Sequence, residues 1–182
     1  MIERLKGKVL EKGADWAVIQ VAGMGFFLKI TASALEKITP GQEAEVFTHL
    51  IIKDEEPILM GFSSKEEREV FKKLLSVSGI GPKTAMAILS TIGLESFLEA
   101  VERGNVSALS RVPGIGKKGA SRIIVEMKNF IPSMAGESEA EIISALTNLG
   151  FKRSEVESVV REISGKGLPV EEAIKEALRR LS

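Results

Sequence analysis

Charged and apolar residues alternate over Met1–Gly13, and apolar positions come in short bursts throughout the first 63 residues. The segments Arg4–Glu11, Trp16–Val21, Phe26–Ile30, Ala44–Ile52 and Ile58–Phe62 are rich in Val, Ile, Leu and Phe. Turn-forming groups separate them: Gly13-Ala14-Asp15, Gly23-Met24-Gly25, Pro40-Gly41 and Asp54-Glu55-Glu56-Pro57. Short apolar runs of this kind bounded by such residues predict β-strands. Five strands of this length suit a small closed barrel, for which the OB-fold is the commonest solution. Thr31–Ile38 is predicted as a short helix crossing one end.

At Ser64 the period changes to that of a helix. Ser63 or Ser64 is the predicted N-cap, and the acidic residues of Lys65-Glu66-Glu67 favour the positive end of the helix dipole. Breaks at Gly79–Pro82, Gly93, Gly104 and Pro113–Gly116 divide residues 64–130 into four or five short helices. Ile131-Pro132-Ser133-Met134-Ala135-Gly136 reads as a flexible linker, 131–137. Three more helical segments follow, Glu139–Leu149, Ser154–Ser164 and Val170–Leu181, with Ile142, Ile143, Leu146, Leu149, Val156, Val159, Val160 and Ile163 at helical spacing. The expected fold is therefore multi-domain α+β. It comprises an OB-type barrel (1–63), a central helical domain (64–130), the linker, and a minimal three-helix bundle (138–182).

Composition narrows the chemistry. The 182 residues include no cysteine and one histidine, His49. Disulfides, thiolate metal sites and Cys nucleophiles are thereby excluded, and His-based metal sites or triads nearly so. No cofactor is expected. No stretch reaches the roughly 18 apolar residues of a membrane span, and the N-terminus lacks the apolar core of a secretory signal, so a cytoplasmic location is expected. Scarce Gln and Asn beside abundant Glu and Lys point weakly to a heat-adapted source. The net charge is zero, which is unpromising for a DNA binder until the chain is divided. Residues 1–63 carry 7 basic and 9 acidic side chains, net −2; residues 64–134 carry 11 and 7, net +4; residues 135–182 carry 7 and 9, net −2. The positive charge is concentrated in the middle third, where a phosphate-binding face is possible.

That same third repeats itself. Leu74-x-x-Val77-x-Gly79-Ile80-Gly81-x-Lys83-x-Ala85-x-x-Ile88 matches Leu109-x-x-Val112-x-Gly114-Ile115-Gly116-x-Lys118-x-Ala120-x-x-Ile123 at eight identical positions, offset by 35 residues. A helix runs to Val77 or Val112, and a tight Gly-Ile-Gly hairpin follows, in which glycine permits positive φ and close backbone approach. A second helix starts at Pro82 or Lys117; proline suits a first helical turn because its missing N–H has no partner there. Ile80 and Ile115 are predicted to plug the core, and Ala85 and Ala120 to let the helices cross closely. The unit aims free backbone N–H groups and a helix dipole at an anion such as a DNA phosphate. Lys83, Lys117, Lys118 and Arg122 add charge beside Gly79, Gly81, Gly114 and Gly116. The competing reading is that a hairpin only packs two helices; two matched copies, each with lysine two residues after the second glycine, weigh against it. A nucleotide loop is a poor fit to Gly79–Thr84, because Pro82 separates Gly81 from Lys83 and a helix rather than a buried strand precedes it.

This repeat is similar to the helix-hairpin-helix motif, which contacts backbone phosphates without reading bases. The whole chain resembles the RuvA family. The residues that carry the likeness are Met1-Ile2-x-Arg4-Leu5-x-Gly7, Val21-x-Gly23-x-Gly25-Phe26, Gly41-Gln42-Glu43-Ala44, Val46-Phe47-Thr48-His49, Gly61-Phe62 and, most distinctively, Leu109–Lys128. The resemblance implies a non-enzymatic subunit that binds four-way (Holliday) junction DNA as a homotetramer, one or two tetramers per junction, in recombination, DNA repair and the SOS response. It further implies a hexameric RuvB-type ring ATPase docked on the C-terminal domain, and a RuvC-type junction endonuclease sharing the complex. It also places an acidic pin on Asp54 and Glu55, with Glu56 adding a third carboxylate. Four such turns around a symmetry axis would repel continuous duplex and favour an open centre. From the residues alone, the same turn reads as a solvated hairpin tip. A Mg²⁺-dependent nuclease reading finds no other acidic residue tied to these three.

The remaining conspicuous residues take plainer readings. His49 is expected to be structural, and Trp16 and the phenylalanines are expected in the core rather than stacked on bases. Leu149-Gly150-Phe151 resembles the corresponding loop of ubiquitin-associated domains, which offers an apolar patch to a protein partner.

Overall fold

The computed structural model describes residues 2–53, 55–128, 130–164 and 170–181. The chain divides into two compact units, 1–128 and 129–182.

In the first unit, β1 (Arg4–Lys12), β2 (Trp16–Val21), β3 (Met24–Ile30), β4 (Glu43–Lys53) and β5 (Glu56–Phe62) close into a barrel in the order β1-β2-β3-β5-β4. The parallel contact of β3 with β5 completes the closure. The predicted alternation is visible in β1, where Leu5, Gly7 and Val9 turn inward while their neighbours are exposed. Gly7 is required there, since a Cβ would lie 2.1 Å from the Gln20 carbonyl oxygen. Register slips between Val9 and Glu11, leaving Leu10 as the extra residue of a bulge that bends β1 around the barrel. Leu5, Val9, Ile19, Leu28, Ile30, Val46 and Leu59 fill the interior, and Ala34 and Ile38 close one end from α1 (Ala32–Lys37) and its C-cap. Lys12 Nζ donates to the carbonyls of Leu35 and Ile38 at 2.8 Å each, which satisfies the C-terminal end of α1.

Helix α2 (Lys65–Leu75) joins the barrel to the helical region. Ser64 is its N-cap, with Oγ accepting from the Glu67 amide at 3.1 Å. Glu67 is fully buried, and its carboxylate accepts from Thr31 Oγ1 (3.1 Å), Ser33 Oγ (2.6 Å) and the Ser63 amide (2.7 Å). Beside it, Arg68 Nη1 donates to the Glu3 carboxylate at 2.6 Å and the Glu3 carbonyl at 2.9 Å. The first turn of α2 is thus tied both to α1 and to the start of the chain. Phe71 packs on Phe62 with ring centroids 4.9 Å apart. Then come α3 (Pro82–Ile92), α4 (Leu94–Glu102), α5 (Val106–Leu109) and α6 (Lys117–Lys128). Phe97, Ala100 and Val101 of α4 are buried, as are Ala85, Ile88 and Leu89 of α3 and Ala120, Ile123, Ile124 and Met127 of α6.

The second unit is a three-helix bundle of α7 (Ile131–Asn148), α8 (Arg153–Ser164) and α9 (Val170–Leu181) around Ile142, Leu146, Val156, Val160, Ile163, Ala173 and Ala177. The linker expected at 131–137 is a correction: α7 begins at Ile131 and runs through it. Pro132 falls in the first turn, where it starts a helix rather than interrupting one. At the other end of α7, Gly150 at φ +97° turns the chain, and the Phe151 amide donates back to the Leu146 carbonyl at 3.3 Å. Phe151 packs against the bundle core, while Leu149 is 64% exposed.

Candidate nucleic-acid interface

The two sequence repeats fold into two hairpins with matching backbone hydrogen bonds. In the first, the Val77 amide donates to Leu74 O (3.0 Å), Ile80 to Val77 O (3.0 Å) and Ala85 to Gly81 O (2.9 Å). In the second, Val112 donates to Leu109 O (3.2 Å), Ile115 to Val112 O (3.1 Å) and Ala120 to Gly116 O (2.9 Å). Gly79 and Gly114 both have φ +85°, in the left-handed region that favours glycine. Gly81 is extended and caps α3 without a side-chain hydrogen bond, so no capping side chain occupies the backbone N–H groups of that first turn. No atom would meet a Cβ on Gly81, Gly114 or Gly116 within 4 Å, which leaves the backbone open to close approach. A helix precedes each hairpin, unlike the buried strand of a nucleotide loop.

Most of the expected core anchors are buried. Val77, Val112, Ala85 and Ala120 are buried, as is Ile115, while Ile80 is half-buried. Lys83, Lys117 and Lys118 are exposed in the first turns of α3 and α6. Arg122 makes a further contact that the repeat does not foretell. It is exposed, but its Nη1 donates to the Ser78 carbonyl at 2.9 Å, so the side chain bridges the second repeat to the first hairpin. Nothing in either repeat signals this contact, because Ser78 and Arg122 are 44 residues apart and Ser78 carries no distinctive chemistry.

The acidic turn joins β4 to β5 through a two-residue loop between the paired Lys53 and Glu56. Asp54 lies outside the described residues. Glu55 is exposed with φ +67°, and Glu56 is exposed beside it. Among the described residues, no group of three or more His, Asp or Glu side chains could hold a metal ion.

His49 is half-buried, edge-on to Phe71 with ring centroids 5.9 Å apart. Burial, reinforced by Lys72 and Arg68, holds its imidazole below the ordinary pKa of 6.5. Burial raises the Glu69 carboxyl, but hydrogen bonds and charge from Lys72 and Arg68 outweigh this and hold it below its usual value. Trp16 departs from the expected core position. It is half-buried on the outside of the barrel, covers Gly13, and stacks on the 53%-exposed Phe27 with centroids 5.5 Å apart. Phe62, Phe71 and Phe97 do lie in the core. No single helix among the described residues is long and apolar enough to cross a membrane.

Similarity to known proteins extends over nearly the whole chain. Residues 1–61 match the family model of the RuvA N-terminal domain, 71–129 that of the SAM-like helix-hairpin-helix tandem, and 138–182 that of the RuvA C-terminal domain. The Holliday junction branch migration complex subunit RuvA of Escherichia coli is 38% identical over 200 aligned positions, covering 98% of each chain. Its counterpart in Hamiltonella defensa is 36% identical over 201 positions, again covering 98% of each. With its OB-fold barrel, tandem helix-hairpin-helix elements and C-terminal bundle in this order, the chain belongs to the RuvA family.

Proposed function

We propose that this chain binds the four-way junction as a homotetramer and holds it open for branch migration by a motor supplied in trans. The observation that carries the reading is the pair of matched hairpins, 35 residues apart in sequence and bridged by Arg122. Each offers backbone N–H groups and flanking lysines to a phosphate. Contacts of this kind position a protein on DNA without reading its sequence. Two of them at a set separation suit the two strands of one duplex arm. Gly79, Gly81 and Lys83 form one phosphate site; Gly114, Gly116, Lys117 and Lys118 form the other.

Asp54 and Glu55 supply the selectivity. Carboxylates gathered at the four-fold centre repel the phosphates of an uninterrupted duplex and leave room for a junction whose arms diverge. The unit 129–182 is the docking module for a RuvB-type ring ATPase, with Leu149 offering an exposed apolar contact. A RuvC-type endonuclease is a further partner of the assembly. The chain acts by shaping DNA in the cytoplasm, without catalysis of its own.

The test is a gel shift comparing a four-way junction with a linear duplex of equal length at fixed salt, with stoichiometry from light scattering. Strong junction preference by a tetramer is expected. Equal binding to both DNAs, or a monomer, would overturn the reading.

A further inference from the structure

The β4–β5 hairpin outruns the barrel. β1 pairs with β4 only between Glu43 and Phe47, and β3 pairs with β5 at Met60 and Gly61. From Leu50 to Leu59, β4 and β5 therefore continue as a two-stranded arm among the described residues. Directly opposed pairs alternate between its faces. Leu50 opposes Leu59 on the face that joins the barrel core. Two residues further out on the same face, Ile52 opposes Pro57. There the core has ended: Ile52 is 72% exposed, more than any other large apolar side chain among the described residues, and Pro57 is exposed as well. Glu55 and Glu56 stand next to this pair, both exposed.

We infer that the Ile52–Pro57 pair is a contact for the faces of the base pairs flanking the junction crossover. The inference rests on the proposed function and names what the acidic turn would meet there. A phosphate is repelled by Glu55 and Glu56, whereas an apolar surface without charge is not. The flat face of a base pair has that chemistry. In continuous duplex every such face is covered by its neighbour, but an open crossover exposes four. Apolar side chains set against a base step are a known way of holding it unstacked. Both residues are stiff, Ile52 through its β-branch and Pro57 through its ring, so little freedom is lost on contact. Charge and shape thus act together: the carboxylates exclude backbone, and the apolar pair receives bases.

The test uses the full chain and a four-way junction carrying 2-aminopurine in the base pair next to the crossover, where unstacking raises fluorescence. The native chain is expected to raise the signal on binding. Ile52→Asn is expected to lose most of that rise while remaining tetrameric, and Ile52→Leu to retain it. An undiminished rise with Ile52→Asn overturns the inference. So does breakdown of the Ile52→Asn tetramer, which would assign the pair to contact with a second copy of this chain. The native chain's junction-to-duplex preference, measured alongside, decides the underlying reading separately.

Discussion

Arg122 on α6 reaches across the repeat and donates to the Ser78 carbonyl at 2.9 Å, immediately before the first glycine of the other hairpin. The guanidinium lies 3.9 Å from where a Cβ on Gly79 would stand. Arg122 thereby ties α6 to the first hairpin, and on the proposed function it is expected to fix the separation of the two hairpins besides adding charge. Arg122→Ala should cost about 1 kcal/mol in a denaturant titration, the net worth of one such hydrogen bond. It should also weaken junction binding with little change in the slope of log affinity against log salt. Lys118→Gln, by contrast, should lower that slope by about one per subunit, because a phosphate contact is lost outright. Equal slope changes for the two variants would return Arg122 to the set of phosphate contacts.

The two glycines of the first hairpin should separate folding from binding. Gly79 has φ +85°, so Gly79→Ala forces an L-residue into left-handed backbone and should destabilise by about 1–2 kcal/mol. Gly81 is extended and its Cβ would meet nothing within 4 Å. Gly81→Ala weakens the N-cap of α3 but also reduces the freedom of the unfolded chain, so stability should change by less than about 1 kcal/mol. Its methyl group would nevertheless keep a phosphate from the backbone, weakening DNA binding roughly ten-fold. Native affinity in Gly81→Ala would mean that the hairpin only packs helices.

The double substitution Asp54→Asn with Glu55→Gln should retain junction binding and relax selectivity. Removing two carboxylates per chain takes away repulsion that acts mainly on continuous duplex. The junction-to-duplex affinity ratio should fall by about ten-fold or more, chiefly through stronger duplex binding. An unchanged ratio in competition gel shifts would refute the pin.

Acidification should weaken the fold through His49. Its folded pKa lies below the unfolded value of 6.5, so the folded state binds fewer protons. The contribution is fully present above pH 6.5 and is lost as pH falls from there through the folded pKa. His49→Gln should flatten stability across this window in denaturant titrations at stepped pH. Glu69, whose carboxyl is also held low, loses its contribution only at more acidic pH. A variant with native pH dependence would rule out His49 as the source.

A chain ending at Lys128, the last residue of the first compact unit, should still bind junctions but fail to stimulate a RuvB-type ATPase. The cut belongs there because α7 already runs from Ile131; removal from 137 onward would leave a helical stub. Lost junction binding by the truncated chain would overturn this division of labour.

The sequence by itself determined most elements and their order, the start of α7 at Ile131 excepted, because the signals are local. Alternation of charged and apolar residues marks β1, Ser64 caps α2, and a 35-residue repeat with glycine at the left-handed positions specifies two equivalent hairpins. Only the tertiary structure decided what lies between the elements. The Glu67 carboxylate latches onto Thr31 and Ser33, and Arg122 onto Ser78, because chain closure brings together groups 34 to 44 residues apart. A strand's alternation also leaves open which apolar residues find cover. Trp16 and Phe27 lie on the outside of the barrel, and Ile52 lies on the core-facing side beyond the point where the core ends. Burial depends on where neighbouring strands stop, and that is a property of the closed barrel rather than of any one segment.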